Sequence, residues 1–203
     1  MKLFYTKGAC SLAVRIVINE IGINCDYESV NLKTQRTENE QDFLRINPKG
    51  AVPTLQLENG QYLTENAVIQ QYLADKFQAR ELLPPIGDFK RYRILECLNF
   101  ITTELHKNFG SLFNPNIPQE IKDKIYIGLI KTKLAYIDKQ LKHQYLMGEH
   151  FTLPDAYMFV ILLWAMNFKI DIKQWDHLPR YFATLKKRPS IVKSLKEEAL
   201  ELA

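Results

Sequence analysis

The sequence has few cysteines and no pair of them at the spacing that disulfide chemistry favours. Cys10, Cys25 and Cys97 are an odd number, they lie far apart, and no two are separated by two residues. A secreted fold held by disulfides is therefore not expected, and neither is an oxidoreductase that uses two thiols of one chain. Redox chemistry at one of these cysteines would need a second thiol from another molecule.

Long apolar runs, basic stripes and clustered metal ligands are also missing. No apolar stretch reaches the roughly 18 residues of a membrane span, and the start, MKLFYTKGAC, turns polar too early for a signal peptide. The net charge of +4 comes from charges that alternate in sign, without the basic and aromatic stripe of a nucleic-acid surface. The four histidines are too scattered to form a metal site. We expect a cytoplasmic protein that contacts neither membrane nor nucleic acid and holds no metal.

The first 77 residues alternate between strand and helix patterns, whereas the chain is helical after a short linker. The order in residues 1–77 is β-α-β-α-β-β-α, with a hairpin turn at Asn59–Gly60, and this is a thioredoxin-like layout. Residues 78–88 contain two adjacent prolines and a glycine and predict a linker. The predicted fold is an α/β thioredoxin-like domain joined to an all-α domain, residues 89–203. Candidate helices of the second domain cover about 89–112, 119–141, 153–168, 175–187 and 190–200.

Cys10 stands where a polar loop becomes the first helix. The unpaired N–H groups and the positive dipole end of such a helix lower the pKa of a thiol and stabilise a nearby thiolate. The alternative is a partly buried cysteine without a chemical role, and position alone does not decide between the two. Cys25 and Cys97 adjoin strand and helix patterns and favour a packing role.

Two further stretches of the first domain favour recognition of a short peptide. Pro53 opens a strand and leaves the backbone of Val52 able to pair with an extended peptide, although a proline on an edge strand also serves simply to block aggregation. Thr64 is the predicted N-cap of the third helix, where N–H groups suit a carboxylate and Glu65 suits an ammonium group. Ordinary capping with an acidic first turn explains the same pattern.

The stretch from Arg91 to Phe113 places a polar face opposite the apolar face of one long helix. The polar face includes Asn99, Thr103 and His106. Polar faces usually meet solvent, but these residue types are modest helix formers, and their clustering mildly favours a site. In a later helix two large aromatic residues, Tyr157 and Trp164, lie seven positions apart, which is typical of core packing and compatible with a pocket for an apolar ligand.

Five motifs occur in the order and spacing of the bacterial beta-class glutathione transferases. They are KLFYTKGACSLA, NPKGAVP, LTENAVIQQYLAD, TTELHK and GEHFTLPDAYMF, and together they extend over essentially the whole chain. The chain therefore resembles this class. The resemblance implies a glutathione-binding first domain, a helical domain with the hydrophobic substrate site, and a homodimer. It also implies a detoxification enzyme that activates the glutathione thiol for attack on small hydrophobic electrophiles, with glutathione as co-substrate and no bound cofactor.

The resemblance also implies roles for individual residues. Cys10 and His106 would act at the glutathione sulfur, with Tyr5 as the alternative donor. Cys10 would either donate its S–H to the thiolate, which we favour for conjugation, or form a mixed disulfide itself. The implied glutathione contacts are Val52, Glu65, Asn66, Gln35, Asn99 and Thr103, and the residues implied for the hydrophobic substrate are Phe109, Leu112, Tyr157 and Trp164.

Three positions depart from the pattern of the class. Ala51 replaces a frequent polar residue, and Asn66 stands where serine or glycine is usual. Gln35 stands where a basic residue is expected, and Lys33 and Arg36 are the nearest charged replacements. The change at position 35 leaves the glycine carboxylate of glutathione without its expected partner.

Two other functions stay open. One is a glutathione-dependent reductase or peroxidase in which Cys10 is the nucleophile. The other is a non-catalytic protein of the same fold that binds a ligand or a partner. The presence of Cys10, Pro53, Glu65 and His106 argues against the non-catalytic protein, because such proteins typically lose the pocket residues. The sequence does not separate the reductase or peroxidase from the transferase.

Overall fold

A computed structural model describes residues 1–201 and divides them into two compact units. Unit 1 comprises Met1–Arg80 together with the segment from Lys187 to the end of the described chain, and unit 2 comprises Glu81–Lys186. The first boundary falls inside the predicted linker, 78–88. The second differs from the prediction, because the last helix of the predicted all-α domain, 89–203, packs within unit 1.

Strands and short helices alternate in the first part of the chain, and helices fill the rest. The strands are β1 Lys2–Tyr5, β2 Asp26–Asn31, β3 Arg36–Thr37, β4 Thr54–Gln56 and β5 Tyr62–Thr64. The α-helices are α1 Ser11–Ile21, α2 Phe43–Ile46, α3 Asn66–Lys76, α4 Phe89–Phe100, α5 Lys107–Phe113, α6 Gln119–Ile121, α7 Ile127–Gln140, α8 Leu153–Asn167, α9 Leu178–Leu185 and α10 Pro189–Glu197. Two π-helical segments, Ile101–His106 and Lys122–Tyr126, and a 3-10 turn, Ile172–Gln174, complete the order.

The sheet of unit 1 has the strand order β3-β2-β1-β4-β5 in the described residues. β1 pairs in parallel with β2, and the other neighbours pair antiparallel. The thioredoxin-like layout is therefore confirmed. β3 is an addition, because two residues are too few to show a strand period in sequence.

Helix α1 is buried on nearly all sides because it lies among the sheet, α3 and α10. Its residues from Ser11 to Ile18 are all buried, and it packs against both helices. The helix ends at Gly22, which adopts a left-handed φ of 77° and donates its N–H to the Ile18 carbonyl. Glycine fits there because a side chain disfavours that conformation.

Unit 2 is built around α8, whose residues are mostly buried, as expected for a helix that is apolar all round. A capping box starts this helix, since Asp155 Oδ2 accepts from the Thr152 N–H at 2.8 Å. The other carboxylate oxygen accepts from the Tyr181 hydroxyl at 2.7 Å and from the Leu146 N–H at 3.0 Å. The structure confirms the predicted helical character, but the first two long helices each contain a π-helical segment that a 3.6-residue period does not reveal. Among residues 1–201, no helix has both the length and the apolar character needed to cross a membrane.

Candidate functional site

Cys10 lies at the N-terminal end of α1 with only 7% of its surface exposed. Its Sγ donates to the carbonyl oxygen of Val52 at 3.2 Å. Burial raises the pKa of Cys10 to about 12, and hydrogen bonds from the Asn66 side chain and the backbone at Cys10 and Ser11 offset this only in part. The donors at the helix start lower this pKa as expected, but desolvation of the buried thiolate outweighs them and the net shift is upward.

The backbone of Val52 borders Cys10 immediately before β4. The Val52–Pro53 peptide bond is cis. The Val52 carbonyl accepts the Cys10 S–H, while the Val52 N–H makes no hydrogen bond within residues 1–201. The Val52 side chain packs in a small apolar cluster with Phe4 and Phe43. An unpaired N–H in an irregular segment is the kind of group to which an extended peptide can add its own backbone.

The start of α3 differs from the prediction in which residue caps it. Glu65, rather than Thr64, is the N-cap residue, because β5 continues through Thr64. Asn66 is 6% exposed, and its Nδ2 donates to the Cys10 carbonyl at 2.6 Å. Its Oδ1 accepts from Gln70 at 2.5 Å. Asn66 therefore joins α3 to α1, and its side-chain oxygen and nitrogen both bond to other parts of the chain.

The carboxylate of Glu65 faces solvent and is paired with Lys49. The Lys49 Nζ lies 2.6 Å from Glu65 Oε1 and 3.0 Å from Thr64 Oγ1. Asn47 Oδ1 accepts from the Lys49 backbone N–H at 3.1 Å. Sequence reasoning did not single out Lys49, because no helix or strand period relates residues 49 and 65; the only signal was its place in the NPKGAVP motif.

Gln35 supports the loop that precedes Val52. Its Nε2 donates to the carbonyl oxygens of Leu32 at 2.8 Å and of Gly50 at 3.2 Å. Gly50 has a φ of +60°, and a Cβ there would lie 3.0 Å from Gln35 Oε1. The Gln35 amide thus ties two loops together, whereas its contact with glutathione stays a prediction.

Tyr5 lies on the face of β1 opposite to Val52. Its neighbour Phe4 packs with Val52, and successive side chains of a strand point to opposite faces. The Tyr5 ring lies 4.4 Å from the Arg15 guanidinium and 6.3 Å edge-on from Tyr27. The structure therefore places Tyr5 with Arg15 rather than with the Val52 backbone, which favours Cys10 over Tyr5 as the donor.

Three of the predicted site residues of unit 2 lie along the helical stretch from α4 to the first π segment. Asn99 and Thr103 are exposed, and the Thr103 hydroxyl donates to the Asn99 carbonyl at 3.1 Å. His106 ends the π segment, and its Nδ1 is hydrogen bonded to the Tyr157 hydroxyl. The His106 ring lies 5.1 Å from that of Trp164. π-Helical segments are frequent at functional sites.

The four residues predicted for the hydrophobic substrate lie in the interior of unit 2. Their exposed fractions are 0% for Phe109, 3% for Leu112, 0% for Tyr157 and 4% for Trp164. Such burial is what core packing requires, so a contact of these side chains with substrate stays a prediction. The neighbouring Phe113, which sequence reasoning missed, is 52% exposed and lies 5.2 Å from the Trp164 ring.

A cavity of about 560 Å³ in unit 2 lies elsewhere along α4, with Cys97, Phe100 and Tyr136 in its walls. Burial raises the pKa of Cys97 to about 12, so its thiol is protonated at neutral pH. No group of three or more His, Cys, Asp or Glu side chains in the described part of the chain is arranged to hold a metal ion.

Comparison with known proteins identifies relatives that match nearly the whole chain. Residues 8–76 match the family model of the glutathione S-transferase N-terminal domain, and residues 100–189 match that of the C-terminal domain. Glutathione S-transferase GstA of Escherichia coli O157:H7 is 42% identical over 202 residues, which cover 99% of this chain and all of the relative. The solved structure of a sphingomonad glutathione S-transferase complexed with glutathione is 38% identical, with a TM-score of 0.93 over 99% of this chain and all of that one. The beta-class glutathione S-transferase of Sphingomonas chungbukensis matches at 38% identity, with a TM-score of 0.94 and the same coverage.

Proposed function

The chain belongs to the glutathione S-transferase family, and on that premise we propose that it activates the thiol of glutathione for attack on small hydrophobic electrophiles. One observation carries the proposal. The Cys10 thiol is bonded to the Val52 carbonyl, and the Cys10 carbonyl is bonded to Asn66 at the start of α3. The two segments that the sequence singled out for recognition of a short peptide therefore meet at the candidate thiol, Cys10.

Glutathione suits this arrangement because it is a short, extended, anionic peptide with a thiol. Its cysteinyl backbone would pair with the free N–H of Val52, and its γ-glutamyl ammonium group would lie against Glu65. Its sulfur would then lie near Cys10. The sphingomonad relative was solved in complex with glutathione, which supports glutathione as the ligand.

In the reaction the glutathione thiol gives its proton to water, the thiolate sulfur forms a bond to the electrophilic carbon, and the leaving group departs with the electron pair of the broken bond. The protein accelerates this step by stabilising the thiolate. Each unit by which the pKa of glutathione falls corresponds to about 1.4 kcal/mol. Cys10 suits the role of donor, because a pKa of about 12 keeps its proton in place at neutral pH. The same value disfavours the reductase or peroxidase, in which Cys10 would have to be a thiolate.

We assign the finer features of the function on the resemblance to the beta class. Domain 1–77 would bind glutathione, with Asn99 and Thr103 as further glutathione contacts and His106 acting at its sulfur. Domain 89–203 would contribute the hydrophobic substrate site. The enzyme would act in detoxification as a homodimer. A cytoplasmic location fits the cysteines, which are free throughout the described residues.

The test is the rate of glutathione addition to 1-chloro-2,4-dinitrobenzene, followed by absorbance across pH. We expect a rate well above the uncatalysed one that rises with an apparent pKa below that of free glutathione. Cys10→Ala should slow turnover, while the matched control Cys25→Ala should not. No rate above background with this or any related electrophile would contradict the proposed function.

A further inference from the structure

An exposed ion pair stands beside the start of α3, next to the proposed glutathione site. The Lys49 ammonium and the Glu65 carboxylate are 2.6 Å apart, and their side chains are 57% and 60% exposed. Glu65 has a left-handed φ of 72°, a conformation that is costly for a residue other than glycine and that is often kept at functional sites. Both charged groups are accessible to a ligand.

The backbone on either side of this ion pair is held in place. Asn47 is 3% exposed, and its Nδ2 donates to the Ala51 carbonyl at 2.8 Å while its Oδ1 accepts from the Lys49 N–H at 3.1 Å. Gln35 donates to the Gly50 carbonyl from the other side. Lys49 therefore extends from a loop fixed by its own hydrogen bonds, three residues before Val52.

Asn66 is an implied glutathione contact at the start of α3, but it carries no charge to match the α-carboxylate of the γ-glutamyl group. It is also buried, and its Nδ2 already donates to the Cys10 carbonyl at 2.6 Å. Glu65 repels a carboxylate. The backbone N–H groups that open α3 remain, but they supply no full positive charge.

We infer that Lys49 binds the α-carboxylate of the γ-glutamyl group, while Glu65 binds the α-ammonium group of the same amino acid; this inference rests on the proposed function. A neighbouring cation and anion are complementary to a zwitterion, because each of its charges meets the opposite charge on the protein. In the free protein the two side chains pair with each other. On binding, one ion pair of the protein is exchanged for two with the ligand.

The exchange is feasible because an exposed ion pair is weak. Pairs of this kind contribute little to stability, so little is lost when the ligand separates the charges. Discrimination follows from the same geometry. A peptide that carries only the carboxylate can pair only with Lys49, and a peptide that carries only the ammonium group can pair only with Glu65. In each case the second charged residue gains no partner from the ligand.

The experiment measures binding of three S-methylated peptides by isothermal titration calorimetry, so that no disulfide with Cys10 can form. The first is S-methyl glutathione. The second, glutaryl-cysteinylglycine, keeps the α-carboxylate and lacks the ammonium group. The third, 4-aminobutanoyl-cysteinylglycine, keeps the ammonium group and lacks the α-carboxylate.

We expect Lys49→Met to weaken binding of S-methyl glutathione and of the glutaryl peptide by about tenfold, which corresponds to about 1.4 kcal/mol. The 4-aminobutanoyl peptide should bind the variant as tightly as the wild type, or more tightly, because Glu65 no longer has a competing cation. Glu65→Gln should weaken binding of S-methyl glutathione and of the 4-aminobutanoyl peptide, and it should leave binding of the glutaryl peptide unchanged or tighter. Lys49→Arg should restore binding of the glutaryl peptide.

The matched control is Lys76→Met, which removes another lysine paired with a glutamate, Glu58, at the other end of α3. It should leave all three dissociation constants unchanged. An equal loss for all three peptides in Lys49→Met would mean that Lys49 only supports the loop, and tighter binding of S-methyl glutathione would mean that it only competes for Glu65. Either outcome overturns the inference. A wild-type protein that binds no S-methyl glutathione would instead overturn the proposed function.

Discussion

Cys10 should resist alkylation in the native protein, because burial keeps it as a thiol. Only the thiolate reacts with iodoacetamide. The pKa of Cys10 rises from 9.0 to about 12, a difference of about three pH units. At neutral pH the thiolate fraction, and with it the alkylation rate, should therefore be about a thousandfold below that of an ordinary cysteine, since each pH unit is a factor of ten.

The assay is carbamidomethylation at pH 7.5, with digestion and mass spectrometry of the peptide that contains Cys10. The denatured protein supplies the reference rate. Cys25 is an internal control, because burial raises its pKa only to about 11, and so it should react about ten times faster than Cys10. Between pH 7.5 and 9.5 the Cys10 rate should rise about tenfold per pH unit without a plateau. Modification as fast as in the denatured protein, or a plateau near neutral pH, would refute the reasoning.

The same logic separates the two roles considered for Cys10. If the residue only donates a hydrogen bond, Cys10→Ser keeps a donor and should retain most of the conjugation rate. Cys10→Ala removes the donor and should slow conjugation. If the residue is a nucleophile, both variants should lose disulfide-reducing activity altogether. Equal and complete loss of conjugation in both variants would contradict the donor role.

Two further predictions concern stability. Arg15→Met should lower the free energy of unfolding, measured by urea denaturation, by about 3–5 kcal/mol, because the buried Glu198 carboxylate, 3.1 Å from Arg15 Nε, loses its cation. The control is Arg45→Met; the Arg45 side chain is 89% exposed, so this change should alter the free energy of unfolding by less than about 0.5 kcal/mol. An equally small effect of Arg15→Met would contradict the argument. Above pH 9 the free energy of unfolding should fall as the pH rises. The unfolded chain releases its thiol protons near pH 9.0, whereas the native protein keeps them up to a pKa of about 11 for Cys25 and about 12 for Cys97. Below pH 9 both states are protonated and this contribution is fully present. Denaturation curves from pH 7 to 11 should show a shallower decline for a Cys25→Ala/Cys97→Ala variant, and an identical decline would count against the raised pKa values.

The fold was predictable because its signals are local. Strand and helix periods, the turn at Asn59–Gly60 and the prolines of the linker each act within a few residues, and together they predict a thioredoxin-like layout followed by helices. The features that escaped prediction are short or irregular. β3 has only two residues. The π-helical segment that ends at His106 has apolar residues at nearly helical spacing, so its different hydrogen-bond pattern is not visible in the sequence.

The last helix shows a different limit. Its amphipathic pattern predicts α10, but the partner of its apolar face is α1, which lies far away in sequence. An amphipathic period indicates that one face of a helix is buried, but it does not indicate which element that face packs against. The assignment of α10 to unit 1 thus depends on packing alone.

By itself the sequence determined which chemical groups are present, where the helices and strands run, and to which family the chain belongs. Tertiary structure decided what those groups can do. Cys10 meets Val52 across 42 positions and Asn66 across 56, and Lys49 meets Glu65 across 16. Burial keeps Cys10 protonated, which fits the donor role favoured from the sequence, while the contacts direct Asn66 inward and place a lysine beside Glu65. The physical reason is that a pKa, a hydrogen-bond partner and a neighbouring charge depend on distance in space, which local sequence patterns do not encode.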